Sequence, residues 1–152
     1  MFKLKLNVGW LDNFYSCAFF HANLENFLWS ILGKSIISIL IKMLRHPTIE
    51  LVTSSISTLV TVIEKYPNCI ESFELPILTF LNESLSPTQS NVELKRGSVL
   101  LFAYTLPVLQ NEGYLNDSRL NFLVSQLKRI AASTDEDSLL KENCISLLSV
   151  LH

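Results

Sequence analysis

The side chains that most often carry out catalysis are few and far apart in this sequence. The three histidines are His21, His46 and His152, and neither a G-x-S-x-G motif nor a cysteine-protease motif accompanies them. A nucleophilic triad needs a nucleophile, a base and an orienting group in one pocket. We therefore predict structural or surface roles for the histidines, and a chain that is not an enzyme.

Cofactor and metal sites are not indicated either. The four glycines are too widely separated for a phosphate-binding loop or a dinucleotide fingerprint. Cys17, Cys69 and Cys144 include no C-x-x-C pair, and their odd number and wide spacing do not suggest a disulfide framework. We expect no cofactor, and small buried thiols in a reducing compartment, the cytoplasm or the nucleus.

The densest group of charged side chains is the acidic run Asp135–Asp137. It has neither the alternating oxygen ligands nor the central glycine of a calcium loop. Acidic residues just before an apolar stretch are typical of a helix N-terminus, where they offset its partial positive charge. Thr134 and Asp137 have the spacing of a capping box, with Asp in place of Glu or Gln. The run therefore predicts the start of a helix.

Three hydroxyl groups are candidates for modification. Ser133 and Thr134 precede the acidic run, which suits an acid-directed kinase, and Ser86 precedes a proline. Phosphorylation at these residues is a hypothesis, because short polar loops contain such patterns by chance. Asn82 and Asn116 begin glycosylation sequons, which we interpret as accidental because no clean apolar signal core follows the first residues.

The composition indicates heavy burial and argues against two classes of partner. Apolar residues make up 49% of the chain and charged residues 17%, against about 25% charged in a typical protein. The net charge is −2, and the pairs Lys95-Arg96 and Lys128-Arg129 are too isolated to neutralise a nucleic-acid backbone. The longest mostly apolar stretches, Leu51–Ile63 and Gly97–Gly113, are too short or too interrupted for a transmembrane helix.

Three segments of the sequence align with one another without gaps. They begin at residues 49, 92 and 137, so their starts are 43 and 45 residues apart. Counted from each start as zero, apolar residues recur at offsets 7, 10 and 14, which lie on one side of a helix. These residues are Ile56, Val99 and Cys144, then Leu59, Phe102 and Leu147, then Ile63, Leu106 and Leu151.

The aligned segments are predicted to be the second helices of helix pairs. A second apolar strip, at offsets 2 and 13, predicts that each of these helices is packed between neighbours. An apolar stretch precedes each of them across a loop containing Pro, Ser, Thr, Asn or Asp, which are typical helix breakers and caps. The predicted pairs are Ser35–Arg45 with Ile49–Ile63, Pro76–Ser86 with Val92–Leu106, and Arg119–Ala132 with Asp137–Leu151.

This pattern resembles the armadillo/HEAT superfamily of helical repeats. The best match is the stretch Leu40–Val52, in which an apolar helix, a Pro-bearing loop and a second helix follow one another. The resemblance covers Gly33–His152 and implies an all-α, right-handed helical solenoid, an α-α superhelix of about three repeats at 34–66, 67–110 and 111–152. Gly is sparse and residues 90–96 lack strict armadillo markers, so the chain is armadillo-like without an assigned subfamily.

The two ends of the chain differ from the repeats. Residues 1–33 form an irregular segment or a degenerate repeat, in which Leu11–Phe20 and Asn23–Leu32 are a candidate helix pair with Gly33 as its C′ stop. Their dense aromatics suit a core or an interface. The last helix stays apolar to its end, where a terminal repeat normally turns a polar face outward. We expect either further repeats in a longer parent protein or self-association through this end.

The solvent side of the second helices is the predicted binding surface, because solenoids present successive inner helices to their partners. Gly97 is expected to leave room for a close approach. Leu100 and Tyr104 supply apolar and aromatic surface, typical of binding hot spots, unless both pack against an adjacent helix. The predicted partner-binding residues are Glu93, Gly97, Leu100, Tyr104, Ser54, Thr61, Glu142 and Ile145, and the same face also carries Glu50, Ser57, Ser138 and Ser149.

The sequence therefore predicts a non-catalytic scaffold or adaptor that binds another protein through armadillo-like repeats. Two alternatives stay open. One is a membrane-peripheral protein that uses its aromatic N-terminal third, and the other is an enzyme on an unrecognised helical fold. Partner, pathway and organelle are beyond what the residues indicate.

Overall fold

The chain is all-helical wherever its structure is described. The computed structural model describes residues 27–114 and 117–151, apart from the side chains of residues 30 and 31. Over these residues it contains six α-helices and no β-strand, as the 3.6-residue apolar period predicts. The helices are α1 Lys34–Met43, α2 Ile49–Lys65, α3 Glu74–Ser84, α4 Val92–Asn111, α5 Ser118–Ala132 and α6 Ser138–Val150.

The helices form three consecutive pairs arranged in two rows. Each odd-numbered helix packs against the helix that follows it. In the inner row α2 packs against α4, and α4 packs against α6. In the outer row α3 packs against α5, while α1 contacts the 3-10 turn Pro67–Ile70 that precedes α3. The pairs α1–α2, α3–α4 and α5–α6 fall within the three predicted repeat ranges, apart from Asn111 at the end of α4.

The core is built from the apolar positions that recur in the three aligned segments. Leu59 and Phe102 are fully buried, and Leu147 is 7% exposed. The offset-7 residues Ile56 and Val99 are buried in the same cluster of side chains. Since burying a large apolar side chain contributes about 1.5–3 kcal/mol, these repeated positions hold the two rows together.

The second apolar strip is buried in the middle helix alone. In α4 its residues Leu94 and Thr105 are 5% and 1% exposed. In α2 the matching Leu51 is 41% exposed, and in α6 Leu139 and Val150 are 49% and 68% exposed. The prediction that every second helix is packed on both sides is therefore wrong for α6, and in α2 it holds only at Val62, which is partly buried against the core. Only α4 has a described inner-row neighbour on each side.

Gly33 does not end a helix, contrary to the sequence-based expectation. Its φ and ψ of −57° and −47° are right-handed helical, and the π-helical turn Trp29–Gly33 continues directly into α1. A Cβ at Gly33 would lie 2.7 Å from Cε3 of Trp29, so the glycine makes room for the indole ring. That ring packs on Tyr66 with centroids 4.7 Å apart. The predicted helix Leu11–Phe20 lies outside the described residues.

Side-chain caps are present at α4, α5 and α6, whereas Thr48 before α2 makes no side-chain cap hydrogen bond. Asn91 caps α4 by accepting a hydrogen bond from the amide of Leu94 at 2.8 Å, as an N-cap residue should. The predicted capping box at α6 does not form. Asp137 is itself the N-cap and accepts from the amide of Leu140, while the hydroxyl of Thr134 donates to the Asp135 carboxylate. The predicted cap, Thr134, lies three residues before the observed N-cap, because the acidic loop 133–137 precedes the helix.

Candidate inner-row binding surface

The predicted binding residues lie on α2, α4 and α6, and most of them are exposed. Leu100 and Ile145 are 49% and 54% exposed, although both are large and apolar. Gly97 and Tyr104 are partly buried. The remaining predicted residues, all exposed, are Ser54, Thr61, Glu93 and Glu142.

The free space at Gly97 is taken by a neighbouring helix. A Cβ built on Gly97 would lie 3.3 Å from Cγ2 of Ile56 in α2. This distance is shorter than ordinary van der Waals contact, so the missing side chain is what lets α2 and α4 pack so closely. The close approach at Gly97 is therefore one between α2 and α4, on the side where a Cβ would meet Ile56.

Leu100 and Tyr104 have different roles. Tyr104 packs against the core, and its hydroxyl lies 3.5 Å from Oε1 of Glu64 in α2. Leu100 is half exposed and lines a groove towards α6. The alternative of packing against an adjacent helix thus applies to Tyr104, while Leu100 is surface available for binding.

A groove of about 300 Å³ separates α4 from α6. Its position follows from the aligned repeats, because the residue in α6 that matches Gly97 is Glu142 and the residue in α4 that matches Ile56 is Val99. No glycine therefore stands at this position of α6, and α4 and α6 leave an open groove between them. The groove is lined by Val99, Leu100, Ala103, Asn143, Ser146, Leu147 and Val150.

Two ion pairs fix the loop that leads into α6. Lys95 is 5% exposed, and its ammonium lies 2.5 Å from the carboxylate of Glu136. Arg96 contacts both carboxylate oxygens of Asp137, with Nη2 to Oδ1 at 2.8 Å and Nε to Oδ2 at 3.1 Å. These contacts join the start of α6 to α4 and so position the second wall of the groove. Both residues of the basic pair Lys95-Arg96 are therefore already engaged in ion pairs.

The carboxylate of Asp137 has a lowered pKa. The main cause is the hydrogen bond that it accepts from the Leu140 amide, and the guanidinium of Arg96 adds to the effect. Hydrogen bonds and a nearby cation both favour the charged form of a carboxylate. Asp137 therefore couples the cap of α6 to the ion pair with α4.

The described thiols and the imidazole of His46 have structural surroundings. Burial raises the pKa of the Cys69 and Cys144 thiols to about 11, so both stay protonated and weakly nucleophilic near neutral pH. Nδ1 of His46 accepts a hydrogen bond from the Thr48 amide at the start of α2, which is a structural role. Within residues 27–114 and 117–151, no cluster of three or more His, Cys, Asp or Glu side chains is arranged to hold a metal. Cys17, His21 and His152 lie outside the described residues.

The three candidate phosphorylation sites lie in the loops that follow α3 and α5. Ser86 shares a hydrogen bond with Thr88, and Ser133 accepts one from the amide of Asp135. Thr134 is exposed. The sequon residue Asn82 lies inside α3, where its amide nitrogen donates to the carbonyls of Leu78 and Arg119. It therefore joins α3 to α5 as a structural residue, while Asn116 lies outside the described part of the chain.

A second groove, on the outer row, was not anticipated from the sequence. It has a volume of about 690 Å³ between α3 and α5, and Phe122 beside it is 52% exposed. Most of the residue types that line it are polar, so no pattern of apolar spacing singles them out. They are Thr79, Asn82, Glu83, Ser86, Thr88, Ser118, Arg119 and Phe122.

Two wider observations bear on the class of protein. Of the helices that the structure describes, none combines the length and apolar character needed to cross a membrane. No protein-family model, curated protein or solved structure matches this chain. The resemblance to armadillo and HEAT repeats therefore rests on the sequence pattern.

The first prediction concerns the buried ion pair. Lys95→Met leaves the Glu136 carboxylate largely buried without its partner, and we expect a loss of about 3 kcal/mol in the free energy of unfolding. Lys95→Met/Glu136→Leu removes both charges and should recover most of that loss. Urea denaturation measures both values. Lys128→Met, at an exposed lysine of α5, is the control and should change stability by less than about 0.5 kcal/mol. Equal losses in Lys95→Met and the control would contradict this role.

The second prediction concerns the pH dependence of Asp137. Because its folded pKa is lower than its unfolded pKa, its charge stabilises the fold above the unfolded value and this contribution disappears as pH falls through the folded value. Asp137→Asn keeps an N-cap oxygen but loses the charge. We expect the variant to be less stable than wild type at pH 6, and the difference to shrink as pH falls below about 4. A difference that stays constant with pH in thermal denaturation would argue against it.

Proposed function

We propose that this chain is a non-catalytic scaffold or adaptor that binds another protein, built on an armadillo/HEAT-like right-handed solenoid of about three repeats. The observation that carries the proposal is the groove between α4 and α6, with large apolar side chains exposed beside it. Leu100 and Val150 line this groove and are 49% and 68% exposed. Contiguous exposed apolar surface around a concave site is typical of interaction surfaces.

The arrangement of the helices supports the repeat architecture. Each pair contacts the next pair through its second helix, so α2, α4 and α6 form a continuous row. In a solenoid the corresponding row is the surface that binds partners. The handedness and the armadillo-like curvature are part of the proposal.

Binding is expected near α4 and α6 rather than on α2. The exposed hydroxyls of Ser57 and Thr61 donate to carbonyls of their own helix, at 3.1 and 2.9 Å. Their donor hydrogens are therefore already used, and the residues that α2 contributes to this face, Glu50, Ser54, Ser57 and Thr61, are all polar. By contrast, Leu139 and Ile145 of α6 are 49% and 54% exposed. We propose that α4 and α6 supply most of the binding energy and that Ser54 and Thr61 lie at the edge of the binding surface.

The proposal includes the absence of catalysis and an intracellular, reducing location. The protonated thiols, buried at Cys144 and partly buried at Cys69, and the structural role of His46 favour a non-enzymatic chain. Cys69 and Cys144 are both free thiols, which is compatible with a reducing compartment.

The third prediction tests the binding surface. Leu100→Asp places a charge on the groove wall, so a bound partner would have to desolvate it. In an affinity pull-down from cell lysate, we expect proteins retained by the wild type to be lost from Leu100→Asp. Phe122→Asp is the matched control, because Phe122 is equally exposed but lies on the outer row. Loss with Phe122→Asp and retention with Leu100→Asp would move the binding surface to α5, provided that circular dichroism shows both variants folded.

A membrane-peripheral role is the second candidate, because α1 and the turn before it expose apolar residues. Leu32 and Ile39 are 50% and 59% exposed, and Lys34 and Lys42 on the same helix are exposed cations. Such an amphipathic surface is typical of helices that lie on anionic lipid.

The fourth prediction separates the two candidates. If the scaffold proposal holds, the chain should stay in the bottom fraction when it is floated with phosphatidylserine-containing liposomes. Flotation that Ile39→Glu abolishes and Ile145→Glu leaves intact would favour the membrane role, since only the first variant alters the α1 surface.

A further inference from the structure

The shape and charge of the inner row indicate the chemistry of its partner. We propose that the groove between α4 and α6 binds an amphipathic helix that carries two neighbouring apolar residues with lysine or arginine residues beside them. This inference rests on the proposed function and specifies the partner that the same surface would accept.

The size of the groove sets the number of anchoring side chains. Its volume is about 300 Å³. An apolar cavity of roughly 150 Å³ accommodates a benzene-sized molecule, so this groove has room for about two such groups. Its walls are apolar at Val99, Leu100, Ala103, Leu147 and Val150. Two apolar side chains three or four residues apart on one helix face would fill it.

The polar groups of the groove favour a helix over an extended segment. An extended peptide needs backbone partners, which an exposed sheet edge provides, and the described residues contain no strand. The polar side chains that line the groove are Asn143 and Ser146, too few to satisfy the backbone of a strand. A helix satisfies its own backbone and needs only a surface for its apolar side.

The charge of the inner row favours a basic partner. Its solvent face carries Glu50, Glu93 and Glu142, and no Lys, Arg or His occupies the positions of that face defined by the repeats. Glu93 is already paired with Arg96, whose guanidinium also contacts Asp137. Within the described ranges, neither Glu50 nor Glu142 takes part in an ion pair. Of these two, Glu142 belongs to a helix that forms the groove, and an unpaired carboxylate there attracts cations and disfavours acidic partners.

Glu142 supplies the charge in this arrangement. It is exposed on α6 and immediately precedes Asn143, which lines the groove. Its carboxylate is therefore available to the residues that flank the apolar anchors of a bound helix.

The fifth prediction uses two fluorescent helical peptides of equal length as probes. Each has two leucines four residues apart, flanked by lysines in one peptide and by glutamates in the other. In fluorescence anisotropy with the full chain we expect the lysine probe to bind more tightly, and its affinity to fall with added salt because exposed charges are screened. Ala103→Phe fills the groove and should weaken binding about tenfold. Ala132→Phe, at an exposed alanine of α5, should not.

Charge reversal tests the selectivity directly. Glu142→Lys should weaken the lysine probe and strengthen the glutamate probe, whereas Glu83→Lys on the outer row should change neither. Equal binding of both probes, or binding that survives Ala103→Phe, would overturn the inference. If neither probe binds while lysate partners are still lost with Leu100→Asp, the partner chemistry is wrong and the proposed function stands. A concentration-dependent increase in mass that Ala103→Phe abolishes would instead identify a second copy of this chain as the occupant.

Discussion

The buried ammonium of Lys95 is the constraint on which the geometry of the last helix pair depends. A charge taken out of water costs several kcal/mol unless it is paired and hydrogen-bonded. Lys95 of α4 is 5% exposed, so its charge needs a carboxylate partner. That partner is Glu136, in the loop before α6. The loop is therefore held against α4, and Asp137 beside it pairs with Arg96 and caps α6 in the same place. One desolvated charge thus sets where α6 begins.

The inner row is packed differently on the two sides of α4. Between α2 and α4, a glycine faces an isoleucine and the two helices pack closely. Between α4 and α6, the residues at the matching positions are Val99 and Glu142, and the two helices leave a groove. The same repeat unit therefore yields a filled interface in one place and a concave, partly apolar surface in the next.

Local patterns in the sequence were sufficient to predict the helices and the core. The recurring positions of Leu59, Phe102 and Leu147 depend on a 3.6-residue period, which is a property of neighbouring residues, and they are buried as expected. Asn91 and the acidic loop likewise marked helix starts to within a few residues.

The features that the sequence did not reveal depend on contacts between distant residues. Pairing of Lys95 with Glu136 joins residues 41 positions apart, and no local rule selects that carboxylate over its neighbours. Gly97 was correctly identified as a place of close approach, but what approaches is Ile56. Exposure of Leu139 and Val150 was missed for the same reason, since an apolar strip does not say whether a neighbouring helix covers it. Which side chains form the binding surface is therefore a question of tertiary packing.

The polar contacts between helix pairs share one further property, which is their range along the chain. Asn82 with Arg119, Tyr104 with Glu64, Lys95 with Glu136, and Arg129 with the carbonyl of Leu85 span 37, 40, 41 and 44 residues. Each of these distances is about one repeat, so each bond joins a pair only to its immediate neighbour. Cooperativity then passes along the chain step by step, as in a one-dimensional lattice. The outer pairs can fray while the middle pair stays folded, and amide protons in α4 should be the slowest to exchange with solvent.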